Sequence, residues 1–286
     1  MPTKEIFVTK ANGEKEPFDI EKLQGSLRRA HASANNIQQI TSHLVLELED
    51  GMSTHDIYKH AFESLEKLER KASIHYSLRR AVFELGPSGF PFEKLIAEIL
   101  RKKGYEAVTD QMVHAPCVEH EVDVVAWKDQ ELIMCEAKYH SQVGMKSDLK
   151  VVLYVKARFD DLKKGSYVFG GEEAKPMTEG WLVTNTKFTS SAVKYAECQG
   201  LKIIGWNYPA HGSLNDLMDE ANIYPLTCLH SLSDHDKKLL LDKNVVVTTS
   251  LIEDESLLAS IGLSQANIEA VREEVRLLEE RVEEKA

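Results

Sequence analysis

At 286 residues the chain has room for about two compact domains, and 46 acidic against 35 basic side chains give it a formal net charge of −11. Its four cysteines, Cys117, Cys135, Cys198 and Cys228, are widely spaced, which argues against a disulfide framework or a zinc knuckle. The charged first residues argue against a secretion signal and no apolar run is long enough to span a membrane, so a cytoplasmic setting with no membrane partner is expected.

Ile6-Phe-Val8-Thr-Lys10 and Lys15-Glu16-Pro17-Phe18 flank Asn12-Gly13, two residues that tolerate positive φ, and so predict a hairpin. Asp19 is placed to cap a helix through Leu23, Leu27 and Ala30. Helical patterns follow over residues 37–48, 54–68 and 71–85, and the unit ends at Gly86-Pro87-Ser88-Gly89. Lys10 and Lys22 lie near a helix amino terminus, where positive charge disfavours the helix and a bound polyphosphate would reverse that penalty. Two exposed lysines on a small helical unit account for the same charges without a ligand. No Gly-Lys dipeptide occurs, so there is no Walker-type phosphate loop, and a nucleotide here would be a signal and not a fuel.

Val8-x-Lys10-x-x-Gly13, Glu16-x-Phe18-Asp19-x-x-Lys22, Thr54-x-Asp56-Ile57 and Ala72-x-x-x-Tyr76-x-x-Arg79 together resemble an ATP-cone, a nucleotide-binding regulatory module, over residues 4–84. The resemblance implies ATP or dATP as regulatory ligand, contacted by Val8, Lys10, Glu16, Ile20, Lys22 and Thr54. Many cones carry arginine after the lysine of Lys10; Ala11 stands there in this chain, which implies one phosphate contact fewer.

Phe92, Leu95, Ile96, Ile99 and Leu100 recur at helical spacing, ended by Lys102-Lys103-Gly104, and predict a helix with one buried stripe. Glu93 borders that stripe, whereas Glu98 lies further round toward solvent. Next come two strand patterns, Glu121-Val-Asp123-Val-Val-Ala-Trp127 and Leu132-Ile-Met-Cys-Glu136-Ala-Lys138. Alternation sets Glu136 and Lys138 on one side, with Asp123 able to sit opposite them across the ladder. The apolar surroundings suggest strands covered on both faces, where an unpaired carboxylate is costly. A hard cation, Mg²⁺ (or Mn²⁺), suits such a pair: Asp123 and Glu136 supply oxygens, and Lys138 orients water or stabilises developing charge. Glu93 reads either as a further acid of this site or as a first-turn glutamate favoured by the helix dipole. Lys146, Lys150, Lys156, Arg158, Lys163 and Lys164 follow, suited to phosphates or to a solvated helix face. A strand over 181–183, a helix over 190–198 and a strand over 201–206 complete an α/β pattern.

The order Phe92-Glu93, Gly104-Tyr105, Asp123, Glu136-x-Lys138, then Gly180-Trp-Leu-Val-Thr184-Asn-Thr-Lys-Phe188-Thr-x-x-Ala192-x-x-Tyr195 and Gly200-Leu-Lys-Ile-Ile204, resembles the Mrr-like branch of the PD-(D/E)XK restriction endonucleases over residues 90–208. The resemblance implies a restriction-endonuclease-like mixed sheet flanked by helices, a metal-dependent endodeoxyribonuclease with DNA as substrate, catalytic Asp123, Glu136 and Lys138, and Glu93 in support. Many Mrr-like members have glutamine in place of Glu136 and a glycine-rich stretch in place of Pro116-Cys-Val-Glu-His-Glu121.

Residues 211–286 carry 7 basic and 16 acidic side chains against 28 and 30 in residues 1–210. Phosphates repel so acidic a segment, which favours self-association or partner docking. Ser264 reads as the cap of a last helix with Ile268, Val271, Val275, Leu278 and Val282 on one stripe, and Glu273-Glu274 through Glu283-Glu284 on a solvated face. The expected plan is a mostly helical cone over 1–88, an α/β nuclease over 89–210 and a helical module over 211–286. Its expected work is nucleotide-controlled cleavage of DNA by a homo-oligomer, in defence against foreign DNA. A nucleotide-sensing DNA-binding regulator without cleavage, and a repair or RNA-processing nuclease, are the alternatives.

Overall fold

The structure, a computed structural model, describes residues 6–10, 12–171, 173–254 and 256–279. Ala11, Val282 and Glu283-Glu284 lie outside the described residues. β1 (Phe7–Thr9) pairs antiparallel with β2 (Lys15–Pro17), and Gly13 takes a φ of +82° in the turn between them. Asp19 accepts hydrogen bonds from the Glu21 and Lys22 amides and starts α1 (Ile20–Arg29). α2 (Ala34–Glu47) and α3 (Thr54–Leu68) begin on the serine caps Ser33 and Ser53, and α4 (Arg70–Phe83) closes the unit. Leu27, Ile40, Leu44, Ala61 and Leu65 form its own small core. The hairpin is stitched to the α2–α3 turn: the Thr9 amide donates to the Met52 carbonyl at 3.0 Å and the Gly51 amide to that of Phe7 at 2.8 Å.

α5 (Phe90–Lys102) leads into the meander β3 (Glu106–His114), β4 (Glu119–Lys128) and β5 (Glu131–Lys138). Then come β6 (Lys146–Ser147), α6 (Leu149–Leu162), β7 (Ser166–Val168), β8 (Ala174–Pro176), β9 (Glu179–Thr184), β10 (Lys187–Phe188), α7 (Ser190–Gln199) and β11 (Lys202–Ile204). The central sheet runs β11-β9-β5-β4-β3, antiparallel within the meander and parallel from β5 through β9 to β11. Alternate residues of each strand face opposite layers. Val125, Leu132, Met134 and Leu182 pack with Val155, Phe159 and Ala192 of α6 and α7. Val124, Ala126, Ile133 and Cys135 share the other core with Phe92, Leu95, Ile96 and Leu100 of α5. The sheet is covered on both faces, as its apolar strands lead one to expect.

α8 (Leu214–Ala221), a 3-10 turn (Leu226–Cys228), α9 (Asp234–Asp242), α10 (Ser250–Glu253), α11 (Ser256–Ser260) and α12 (Gln265–Glu279) add to the core on the α5 side. Ser264 caps α12 through the Asn267 amide, and Ile268, Val271, Val275 and Leu278 are buried. Glu274 corrects the solvated-face expectation. It is fully buried and accepts from the His230 amide at 2.7 Å, the Ser231 amide at 2.9 Å and the Ser231 hydroxyl at 2.5 Å. Ile74, Leu78, Val82 and Leu85, from α4 and the residues just after it, belong to this same core, which therefore runs unbroken from α4 through one sheet face to α12.

Candidate active site

The β4–β5 ladder ends at Val124 opposite Cys135, so the next pair outward is Asp123 opposite Glu136. Residues that face each other across a ladder project to one side. Asp123 Oδ2 accepts from the Ala137 amide at 2.6 Å, which holds its carboxylate against β5. On its other flank the register sets Asp110 of β3 beside Asp123, between the pairs Thr109–Val124 and Gln111–Val122. Asp110 has a φ of +56°. A left-handed non-glycine residue in mid-strand stores strain of the kind that gathers at functional sites. Glu93 reaches in half-buried from the first turn of α5, and Lys138, two residues beyond Glu136, is exposed.

These acids perturb one another. Burial lifts the Glu93 carboxyl to about 7, reinforced by the negative charges of Asp123, Asp110, Glu121 and Glu136. Burial, then Asp123, lifts Glu136 to about 7 against the pull of Arg158 and Lys138. Asp123 is also raised by burial, while the Ala137 amide and Arg158 draw it back. Several carboxyls thus share a poorly solvated corner, and their hard oxygens fit Mg²⁺ or Mn²⁺, whose charge would offset the repulsion. Asp123 and Glu136 are the residues that would hold such an ion.

Arg158 of α6, in sequence one of a run of cations suited to phosphates or to a solvated helix face, lies in this corner instead. Its guanidinium donates to Glu136 Oε2, to the Glu121 carbonyl at 3.0 Å and to the Tyr154 hydroxyl at 2.7 Å, and lies 4.9 Å from the Tyr154 ring centre. It is therefore an internal counter-ion for Glu136. The spacing Val151, Val155, Arg158 carried the signal, because it sets Arg158 on the flank of a helix that faces the sheet.

Behind Lys138 a polar frame fixes the strand end. The Thr184 hydroxyl donates to the Lys138 carbonyl at 2.7 Å, and Asn185 exchanges two hydrogen bonds with the His140 backbone, at 2.9 and 2.8 Å. The Tyr139 hydroxyl donates to the Phe83 carbonyl at 2.6 Å, and the Tyr139 ring lies 5.7 Å from that of Phe92. The residue after Lys138 is thereby tied to the last residue of α4.

At the amino-terminal unit, Lys10 lies 2.8 Å and Lys22 3.4 Å from Glu16. Their hydrogen bonds raise Lys10 and lower Glu16. Val8 is buried on the hairpin, Ile20 is exposed at the start of α1, and Thr54 opens α3 just after Ser53, which bridges Thr9. Lys10, Glu16 and Lys22 are thus brought together, with Val8 opposite Glu16 on the hairpin, while Ile20 and Thr54 lie at the starts of α1 and α3, outside that ion-paired group. Toward the sheet, β10 sets Lys187 directly opposite Lys146 of β6. Burial, then the charges of Arg79, Lys146, Lys22 and Arg29, push the Lys187 ammonium down. Positive charge from α1 and α4 thus bears on the β6–β10 pair.

A five-stranded mixed sheet between helices, with an acid and an acid-x-lysine triplet on neighbouring strands, defines a restriction-endonuclease-like nuclease fold. The restriction endonuclease family model matches residues 87–208, the ATP cone domain model residues 6–84, and the model described as AF1548-like, C-terminal, residues 224–279. An uncharacterized protein of Archaeoglobus fulgidus is 35% identical over 169 residues, 59% of this chain and 91% of that one. The crystal structure of AF1548, a protein of unknown function, aligns with a TM-score of 0.53 and 32% identity over 67% of this chain and 98% of that one. The transcriptional repressor NrdR of Rhodopseudomonas palustris is 34% identical over 91 residues, 27% of this chain and 57% of that protein. The chain belongs to one family with the Archaeoglobus fulgidus protein and carries an Mrr-like restriction endonuclease domain, with an ATP-cone ahead of it and an AF1548-like region behind it. No helix among the described residues is long and apolar enough to cross a membrane.

Proposed function

We propose that this chain is a nucleotide-regulated, metal-dependent endonuclease that hydrolyses DNA phosphodiesters. The observation that supports it best is the acid pair Asp123–Glu136 across the ladder, with Glu93 half-buried beside it and its carboxyl lifted to about 7. Asp123 and Glu136 would hold Mg²⁺ (or Mn²⁺), which when bound would supply an acidified water and screen phosphoryl charge. Lys138 orients that water and meets the charge developing on the phosphate, and Glu93 supports as a further acid. Arg158 donates to Glu136 and would compete with a cation for that carboxylate.

ATP or dATP binds over Val8, Lys10, Glu16, Ile20, Lys22 and Thr54, and reaches the nuclease by two routes. One is the cation group around Lys187, whose mutual repulsion a polyphosphate relieves. The other is the Tyr139–Phe83 hydrogen bond. The working units are residues 1–88, 89–210 and 211–286, in a cytoplasmic homo-oligomer whose association changes with nucleotide and sets two sites against the two strands of a duplex. Defence against foreign DNA is the proposed setting.

The test incubates purified protein with plasmid, single-stranded DNA and RNA in Mg²⁺, with and without ATP or dATP. Plasmid cutting that changes with nucleotide is expected. Glu136→Ala should bring cutting below detection and leave nucleotide binding intact; cutting that survives would overturn the assignment. Arg158 seated on Glu136 favours one rival, a nucleotide-sensing DNA-binding regulator, and DNA binding with no cleavage at any metal concentration would establish it.

A further inference from the structure

Away from the acid corner, three side chains from distant parts of the chain meet where the cone touches α8. His31 stands in the α1–α2 turn, His75 on α4 and Asp219 on α8. One donor atom from each lies within 4.8 Å of the other two. His31 Nε2 is 3.3 Å from Asp219 Oδ2, and His75 Nδ1 is 3.5 Å from Asp219 Oδ1. Ordinary N–H···O bonds are shorter, about 2.7–3.2 Å. Ligand atoms about 2.0–2.1 Å from a tetrahedral Zn²⁺ stand about 3.3–3.4 Å from one another, close to the spacing here.

A second observation points the same way. The His75 side chain is only 3% exposed, yet its Nδ1 and the facing Asp219 Oδ1 are both buried with no hydrogen-bond partner. An unsatisfied buried pair of this kind costs each group its desolvation energy, and a coordinated cation satisfies both at once. The surroundings hold the three groups in place. His31 has a φ of +59°, a left-handed turn that sets its imidazole toward α8. Asn215 Nδ2 donates to Asp219 Oδ2 at 3.3 Å, the outer-shell support typical of ligating carboxylates. The Tyr224 ring packs edge-on against His75, with ring centres 5.2 Å apart. The His31 side chain is 36% exposed and leaves a way in for an ion and a fourth, water ligand.

We propose that His31, His75 and Asp219 form a transition-metal site of zinc type that clips the cone to α8, separate from the oxygen-lined corner at Asp123 and Glu136. Two imidazoles and one carboxylate suit Zn²⁺, or Co²⁺ as its probe, and suit Mg²⁺ poorly. The ion joins two segments 144 residues or more apart in sequence and makes the seat of the cone on the nuclease depend on metal.

The test uses full-length, chelator-treated protein titrated with Zn²⁺ by calorimetry and with Co²⁺ by visible absorption. Glu136→Ala is the background, so that the acid corner does not add sites. One equivalent of Zn²⁺, a tetrahedral-type Co²⁺ spectrum and a rise in melting temperature are expected. Each should be lost in His31→Ala and in Asp219→Asn, two changes at partly exposed positions that leave the core intact. His43→Ala is the control for the second group, exposed His43 and Glu47 with partly buried His60, and should change nothing. Absence of Zn²⁺ binding, or binding that survives His31→Ala and Asp219→Asn, would overturn the proposal.

Discussion

Glu93 is ionised in the folded chain at a cost, because burial and neighbouring acids lift it from 4.5 to about 7. The sign follows from linkage: the cost is absent where the group is protonated in both states, grows as pH passes 4.5, and is complete above about 7. Glu93→Gln should therefore stabilise metal-free protein at pH 8, by about 1 kcal/mol after allowance for solvent screening. The gain should vanish at pH 4 and should shrink in saturating Mg²⁺. Thermal unfolding at the two pH values, with and without the ion, decides it, and an equal gain at both would refute the shared-charge account. Arg158 is the converse case. Arg158→Ala strands a buried carboxylate and should cost about 3–5 kcal/mol. Added Mg²⁺ should then raise the melting temperature of this variant more than that of the parent. That Glu136 and Lys138 share a side was legible because strand alternation sets it, and the β4–β5 register adds Asp123 opposite Glu136. Arg158 was legible only in part, since its helical spacing sets it toward the sheet but its partner Glu136 is met through tertiary packing, and Asp110 was not, since it is defined by a backbone angle.

Among the elements, those written in local chemistry were the legible ones. The Asn12-Gly13 hairpin, the Asp19 and Ser264 caps, the α5 stripe and the paired strands β4 and β5 all rest on contacts within a few residues. β3 escaped notice because Glu106, Thr109, Asp110 and Gln111 leave this edge strand without a clear alternation. α6 was obscured by its lysines, which hide the buried line of Val152, Val155, Phe159 and Leu162. Glu274 misled for a related reason: glutamate on a charged helix reads as solvent-facing, and the loop amides that bury it come from 43 and 44 residues away. Glu274→Ala should cost about 3 kcal/mol, since it leaves donors from His230 and Ser231 unpaired; chemical denaturation gives the figure. Tyr139→Phe should cost only about 1 kcal/mol yet should weaken the response of cleavage to nucleotide. Comparing plasmid cutting at zero and saturating ATP measures that response, and an unaltered ratio would remove the Tyr139–Phe83 bond from the coupling.

At the level of the whole molecule, charge and burial tell different stories about the carboxyl-terminal region. Its acidic surplus made it look like a separate appendage, but Leu226, Leu229, Leu240, Leu258 and the α12 stripe close the same core that holds α4 and α5. Sequence composition reports the outside of such a segment more readily than its inside. A continuous core also predicts cooperative loss. Leu78→Ala, at a fully buried position on α4, should cost about 2–5 kcal/mol and lower one shared calorimetric transition, without releasing a separately melting unit. Two resolved transitions would contradict it.

The sharing of α4 bears on how such a protein can escape its own regulator. A controller tethered by a loose linker can be clipped away, leaving the blade unguarded. Here α4 of the controller lines the core that the blade shares, so removing the controller together with α4 is expected to bare apolar surface and not simply to release the blade. Freedom from restraint is then expected to arise more quietly, through an exchange as slight as the loss of the oxygen by which Tyr139 holds the end of α4.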